Sequence, residues 1–271
     1  MAKKALCVGI NDYPYDGSDL NGCVNDANAW ADLLISQYHF NKNDVKLLTD
    51  SAATKAAITA GLNELLAGAA EGDVLVFTNS SHGTYVADTD GDEPQYDEAM
   101  CPYDCSTNLF VDDELRIMFA GLPKGVHLTV ISDSCFSGTV TRAAISETIP
   151  GLKTPDDRRV RFLSPALLHK AILENPWKAK PKGKVKYPEY KMKEVLLSGC
   201  TDKEYSYDAL INGKYHGAMT YFALQAIQAA NYKITLRQLH DRVNSLLDNA
   251  GYPQHPQLEG RYSNKKRLIF T

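Results

Sequence analysis

Short apolar runs alternate with longer stretches of helical periodicity along most of the chain, and that alternation narrows the folds open to it. Residues 4–10 and 73–78 are too short for helices and too apolar for surface strands, so each predicts a strand buried on both faces. Residues 45–48, 127–133 and 194–199 predict further strands. Between them, residues 24–37 place Ala27, Ala31, Leu34 and Ile35 along one helical face. Thr54 is positioned to cap a helix over 55–69 that ends among Gly68 and Gly72, and helices are predicted over 113–120, 217–230 and 235–248. Strands and helices at these intervals predict an α/β fold, with a mostly parallel central sheet covered by helices on both faces. Residues 139–190 are proline-rich and irregular, and read as a long insertion within a single domain spanning residues 1–271.

Composition excludes several functions. The formal net charge of -4 offers no general attraction to nucleic acid or an anionic membrane. The basic stretch 178–186 contains Pro181 and Gly183 and reads as a surface loop. No apolar run reaches the length of a membrane span, and residues 1–11 read as a first strand, not a signal peptide. Nothing ahead of residue 4 reads as a further domain. Six cysteines in 271 residues fit reduced thiols in a cytoplasmic protein. Cys101 and Cys105 lack the second thiolate pair of a structural zinc site. Neither a phosphate-binding glycine loop nor a serine-hydrolase elbow is present.

What remains is concentrated at two strand ends. The strand at 73–78 runs into Asn79-Ser80-Ser81-His82-Gly83, and the strand at 127–133 runs into Asp133-Ser134-Cys135. In a parallel sheet, reactive groups gather beyond the carboxyl ends of the strands. If these two strands are neighbours, His82 and Cys135 share one edge. A thiol with an imidazole in reach suffices for acyl transfer: the imidazole activates the thiol and then protonates the departing amine. Gly83 and Gly138 let backbone amides approach a substrate, so the amides of Gly83 and Cys135 are the expected oxyanion hole. No third acid is evident to orient the histidine.

Local motifs then extend over most of the chain: Val8-Gly9-Ile10-Asn11, residues 20–26, Ser80-Ser81-His82-Gly83, Asp112-Asp113-Glu114-Leu115, Asp133-Ser134-Cys135-Phe136-Ser137-Gly138 and Gly217-Ala218-Met219-Thr220. In these the chain resembles the metacaspases and the prokaryotic members of the caspase-like clan. The resemblance implies a caspase-like three-layer sandwich and a cysteine endopeptidase with His82 and Cys135 as its dyad. It also implies a pocket formed by Cys23, Asp26, Ser80 and Asp133 for the residue preceding the scissile bond. Carboxylates at Asp26 and Asp133 suit arginine or lysine, most specifically a guanidinium. Phe136 stands where the family commonly has histidine. The loop of Asp202, Tyr205 and Tyr207 is expected to border the cleft, its tyrosines packing the stem of a basic side chain.

No cofactor is required for this chemistry. The resemblance does imply calcium as an activator, at Asp112 and Asp113 with Asp90 or Asp92. Arg142 stands where the family has a further aspartate, which weakens such a site. Arg142, Lys153, Arg158, Arg159 and Arg161 are expected autolysis positions in a mobile loop over 142–161 of a self-processing zymogen. Expected partners are peptides or proteins with a basic residue before the cut, acted on by a monomer. The alternatives are a catalytically silent caspase-like binding module and a cysteine amidase of the same clan.

Overall fold

Neighbouring side chains in β1 (Lys3–Gly9) go to opposite cores: Ala5 and Cys7 pack on one side of the sheet, Leu6 and Val8 on the other. The same separation holds in β3 (Val74–Ser80), where Val74 and Val76 oppose Leu75 and Phe77. Strands apolar at every position therefore serve a sheet with two buried faces. These relationships come from a computed structural model that describes residues 1–87, 96–135, 158–168, 188–201 and 204–271.

The main sheet adds β2 (Val45–Thr49), β7 (His127–Asp133), β9 (Glu194–Ser198) and β12 (Gln257–Gly260), in the order β12-β9-β7-β3-β1-β2. All pairings are parallel except that of β12 with β9. On one face lie α1 (Cys23–Tyr38), α4 (Ala218–Ala229) and α5 (Leu236–Asn249), which bury Trp30, Leu34, Met219, Phe222 and Leu239. On the other lie α2 (Lys55–Leu66) and α3 (Asp112–Ala120), which bury Ile58, Leu62, Leu65 and Phe119. The expected mostly parallel sheet between helical layers is what the chain adopts. Thr54 caps α2 as expected, accepting from the Ala57 amide at 3.2 Å. The helix stops at Leu66, short of residue 69, because Gly68 takes a φ of 67°.

Two small antiparallel sheets rise from the carboxyl edge of the main one. β4 (Gly83–Ala87), β5 (Tyr96–Met100) and β6 (Phe110–Val111) form the first, starting directly after β3. The second joins β8 (Arg159–Val160), β10 (Tyr207–Ile211) and β11 (Lys214–Gly217). The sequence pattern predicted none of these. Residues 88–98 read as a polar interruption between strands, yet 96–98 belong to β5, and residues 158–168 of the irregular insertion contribute β8 and a 3-10 turn at Pro165–Leu167. Their strands have two to five residues each, so periodicity has little to act on. Among the described residues no helix is long and apolar enough to cross a membrane.

Chain order reverses between β1 and β3: β1 is followed by β2 on one side and by β3 on the other. The two strands stay paired to their carboxyl ends, but the connections that leave them run in opposite directions across the sheet, which is where open α/β sheets bind ligands.

Candidate active site

β3 and β7 are adjacent and parallel, with Ser80 paired to Asp133. His82 and Cys135 each lie two residues beyond that pair, so the sheet brings the two expected groups to one edge. Both are buried.

The His82 ring is oriented by a backbone carbonyl. Nε2 lies 2.6 Å from the oxygen of Ser18. A carbonyl only accepts, so Nε2 carries the proton and Nδ1 is the basic nitrogen. Nδ1 is buried and has no hydrogen-bond partner among the described residues. Burial lowers the His82 pKa to about 4, which keeps the ring neutral at pH 7. Its amide donates to the Tyr13 hydroxyl at 3.1 Å, and the Tyr13 ring lies against it, centroids 5.0 Å apart. Ser18 takes the place of the third acid that the sequence did not reveal; a main-chain oxygen leaves no residue-type signature.

The Cys135 thiol donates to the Glu204 carbonyl at 3.0 Å, and Cys200 donates to the same oxygen at 3.3 Å. The Cys200 pKa is pushed well above its usual value, first by its hydrogen bond with Cys135 and then by burial. Cys200 follows Gly199 at the end of β9 with no histidine near it in sequence, so nothing local signals that it adjoins Cys135.

The expected pocket residues converge on an unexpected occupant, Arg161, whose side chain is wholly buried. Its Nη2 donates to Asp26 Oδ2 at 2.8 Å and to Asp208 Oδ1 at 3.1 Å. Its Nη1 donates to Ser80 Oγ and to the Asp133 carbonyl, both at 3.0 Å, and lies 3.5 Å from Asp133 Oδ2. Cys23 opens α1 beside this cluster. Burial pushes its thiol pKa well up, and the Arg161 guanidinium opposes that shift. Burial also raises the Asp26 pKa, again against Arg161. The surrounding carboxylates hold the Arg161 guanidinium firmly protonated despite its burial.

Each carboxylate is fixed by further donors. Asp26 Oδ2 accepts from Ser80 Oγ and the Gly217 amide, both at 2.9 Å, while His216 Nδ1 lies 3.2 Å from Oδ1. Asp133 accepts from the Thr220 amide at 2.9 Å and from the Ser206 hydroxyl. Asp208 accepts from the amides of Asn21 at 2.7 Å and Gly22 at 2.9 Å. A Cβ at Gly217 would collide with Asp133 Oδ2 and the Arg161 guanidinium, so the cradle requires glycine there. Asp208 was missed as a pocket residue. The signal available was its position shortly after strand β9, at the same sheet edge as Asp133.

The main chain of Arg161 is held as firmly as its side chain. Its carbonyl oxygen accepts from the Gly83 amide at 3.0 Å and the Cys135 amide at 3.3 Å, the two donors expected to form an oxyanion hole. Its own amide donates to the Ser206 carbonyl at 2.9 Å. Of the other expected autolysis positions, Arg158 bonds the Gly251 carbonyl at 3.0 Å and stacks on Tyr252, while Arg159 bonds the Asp19 carbonyl. Arg142 and Lys153 lie outside the described residues. Tyr205 and Tyr207 do border this segment, but their rings face Phe162 and Tyr252 respectively, rather than the Arg161 stem. Asp202 lies outside the described residues.

Asp112 and Asp113 sit in the first turn of α3, where Arg116 binds both, at 2.7 and 2.6 Å. A calcium ion that used Asp112 Oδ2 and Asp113 Oδ1 would have to displace that guanidinium. Asp90 and Asp92 lie outside the described residues, among which no group of three or more His, Cys, Asp or Glu is placed to hold an ion.

Comparison with known proteins agrees with this geometry. The family model for the metacaspase, peptidase C14 domain matches residues 3–144. Metacaspase-1 of Cryptococcus neoformans is 33% identical over 300 residues, covering 99% of this chain and 64% of that protein. Metacaspase-1 of Schizosaccharomyces pombe is 31% identical, with 94% and 66% covered, and Metacaspase-9 of Arabidopsis thaliana is 29% identical, with 95% and 94% covered. The chain thus spans about two thirds of the fungal relatives' length (64% and 66%). A crystal structure of a Geobacter sulfurreducens protein superimposes with a TM-score of 0.76 at 26% identity, covering 100% of this chain and 99% of that one. With a C14 domain match over more than half its length, relatives over nearly all of it, and a mostly parallel sheet that carries histidine and cysteine on adjacent strand ends, the chain belongs to the metacaspase family of caspase-like cysteine peptidases.

Proposed function

We propose that the protein is a cysteine endopeptidase that cleaves after arginine, less readily after lysine, and that it cuts its own Arg161–Phe162 bond. One observation carries this reading: Arg161 lies with its guanidinium among three carboxylates and its carbonyl oxygen on the amides of Gly83 and Cys135. That is the placement a substrate's arginine needs for attack at its carbonyl. Two nitrogens of one planar group bond acceptors on three sides, which an ammonium group matches only in part.

In the reaction, the Cys135 thiol exchanges the Glu204 carbonyl for His82 Nδ1, which takes its proton. The sulfur adds to the arginyl carbonyl carbon, and the resulting oxyanion is held by the Gly83 and Cys135 amides. Collapse breaks the C–N bond, and the leaving amine receives the proton from Nδ1. Water, deprotonated by the same nitrogen, then hydrolyses the thioester and frees the thiol. The Ser18 carbonyl keeps the ring in the tautomer that each step uses. No step needs a metal.

The test is hydrolysis of matched fluorogenic peptides ending in Arg, Lys or Asp, with and without calcium, beside Cys135→Ala. Intact-mass analysis of both proteins locates any self-cleavage. The expected order is Arg above Lys, with no cleavage after Asp and none by the variant. Aspartate preference would overturn the pocket assignment. Absence of all hydrolysis, with the chain uncut, would favour a silent binding module.

A further inference from the structure

The same segment also reports on the side of the cleft beyond the cut. Resting on the reading of Arg161 as an occupant of the substrate position, the next residue, Phe162, occupies the place of the first residue of the leaving fragment. Its ring stacks on Tyr85, centroids 5.9 Å apart and planes at 19°, and tilts against Tyr205 at 6.4 Å and 54°. Only 7% of Phe162 is exposed.

Backbone hydrogen bonds fix that placement from both directions. Before the bond, the Arg161 amide donates to Ser206, and Val160 pairs with Tyr207 in β10. After it, the Leu163 amide donates to the Gly83 carbonyl at 2.9 Å, and Phe162 forms a parallel bridge with Gly83. Tyr85 stands two residues along β4 from Gly83, hence on the same strand face, and Tyr205 immediately precedes Ser206. Any peptide that places arginine in the pocket and its carbonyl on the two amides is therefore led to present its next side chain to the same two tyrosines.

The geometry points to a specificity subsite in which Tyr85 and Tyr205 receive an aromatic side chain directly after the scissile bond, so that the preferred substrates carry arginine followed by Phe, Tyr or Trp. Two rings placed to stack reward a planar partner and give little to a methyl group or a carboxylate.

The experiment compares internally quenched peptides identical except at that residue (Phe, Tyr, Ala or Asp after Arg), using the full-length wild-type protein, Tyr85→Ala, Tyr205→Ala and Tyr85→Phe. The expected kcat/KM ratio of the Phe to the Ala peptide is about tenfold in the wild type, the scale of one or two aromatic contacts. It should fall toward one in both alanine variants and persist in Tyr85→Phe. The ratio is internal to each protein, so partial loss of folded material does not alter it. Equal cleavage of the Phe and Ala peptides by the wild type would overturn the subsite and leave the arginine reading standing. Failure to cleave any of the arginine peptides would overturn that reading and the subsite with it.

Discussion

The Arg161 guanidinium and the Asp26 carboxylate meet at 2.8 Å with neither side chain exposed to solvent, although they lie 135 positions apart in the chain. A buried ion pair is costly to break from one side, because the charge left behind has no solvent to turn to. Here three carboxylates share one cation, so the pocket demands a positive occupant from its own chain or from a substrate.

Removing that cation gives the first prediction. In a Cys135→Ala background, which prevents cleavage, Arg161→Ala should lower stability by up to about 3 kcal/mol, with less lost if the segment swings out and water enters. An arginine-ended peptide should restore part of this; at a hundredfold excess over its Kd, binding contributes about 2.7 kcal/mol. Thermal unfolding with and without the peptide measures both. A structural arginine unrelated to substrate would give the loss without the rescue.

Self-cleavage gives the second. Wild-type protein should show fragments that meet at Arg161–Phe162, Arg161→Lys should cut there more slowly, and Arg161→Ala should stay intact at that bond. Because Arg161→Ala vacates the pocket, it should hydrolyse arginine peptides without a processing lag. Intact mass and progress curves read these outcomes.

Asp208 supplies the third. It bonds the same guanidinium nitrogen as Asp26, so Asp208→Asn and Asp26→Asn should each lower kcat/KM for an arginine peptide by about 10²- to 10³-fold, the scale of unbalancing a buried ion pair. The loss should appear mainly in KM. An unaffected Asp208→Asn would remove that residue from the pocket.

Two neighbouring thiols allow the fourth. Cys200 shares the Glu204 carbonyl with Cys135, but of the two cysteines it is Cys135 whose amide, with that of Gly83, lies on the Arg161 carbonyl. Its raised pKa leaves Cys200 protonated and a poor nucleophile. Cys200→Ala should retain peptide hydrolysis within about tenfold, whereas Cys135→Ala should lose it by 10³ or more, the scale of removing a nucleophile.

The fifth concerns pH. Burial sets the His82 pKa to about 4, below the ordinary value of 6.5. The unfolded chain therefore binds a proton below pH 6.5 that the folded chain refuses until about pH 4. Stability should fall as the pH drops through this window, by on the order of 3 kcal/mol from His82 alone. Unfolding of Cys135→Ala from pH 7 to 4 should show the decline, and adding His82→Asn should make it shallower.

The layered fold was legible because burial on two faces imposes its own composition. Strands β1 and β3 had to be apolar at every position, and α1 had to keep Ala27, Ala31 and Leu34 on one side. Residue type also singled out His82 and Cys135, since few side chains perform acyl transfer, and a parallel sheet places strand ends together. The short strands β4, β8 and β10 left no such mark: two to five residues carry little period, and β8 finds its partner β10 only across the fold, Val160 against Tyr207.

By itself the sequence determined the parallel sheet between helical layers and the strand ends that carry His82 and Cys135, while its family resemblance pointed to Asp26 and Asp133. Only the tertiary structure decided that the Ser18 carbonyl orients His82, that Asp208 completes the acidic group and that Arg161 lies within it. The physical reason is range. Periodicity and residue chemistry act over a few neighbours and survive in the one-dimensional text. A carbonyl that faces a ring, or a guanidinium that neutralises three distant carboxylates, is a contact between positions that come near each other only when the chain folds.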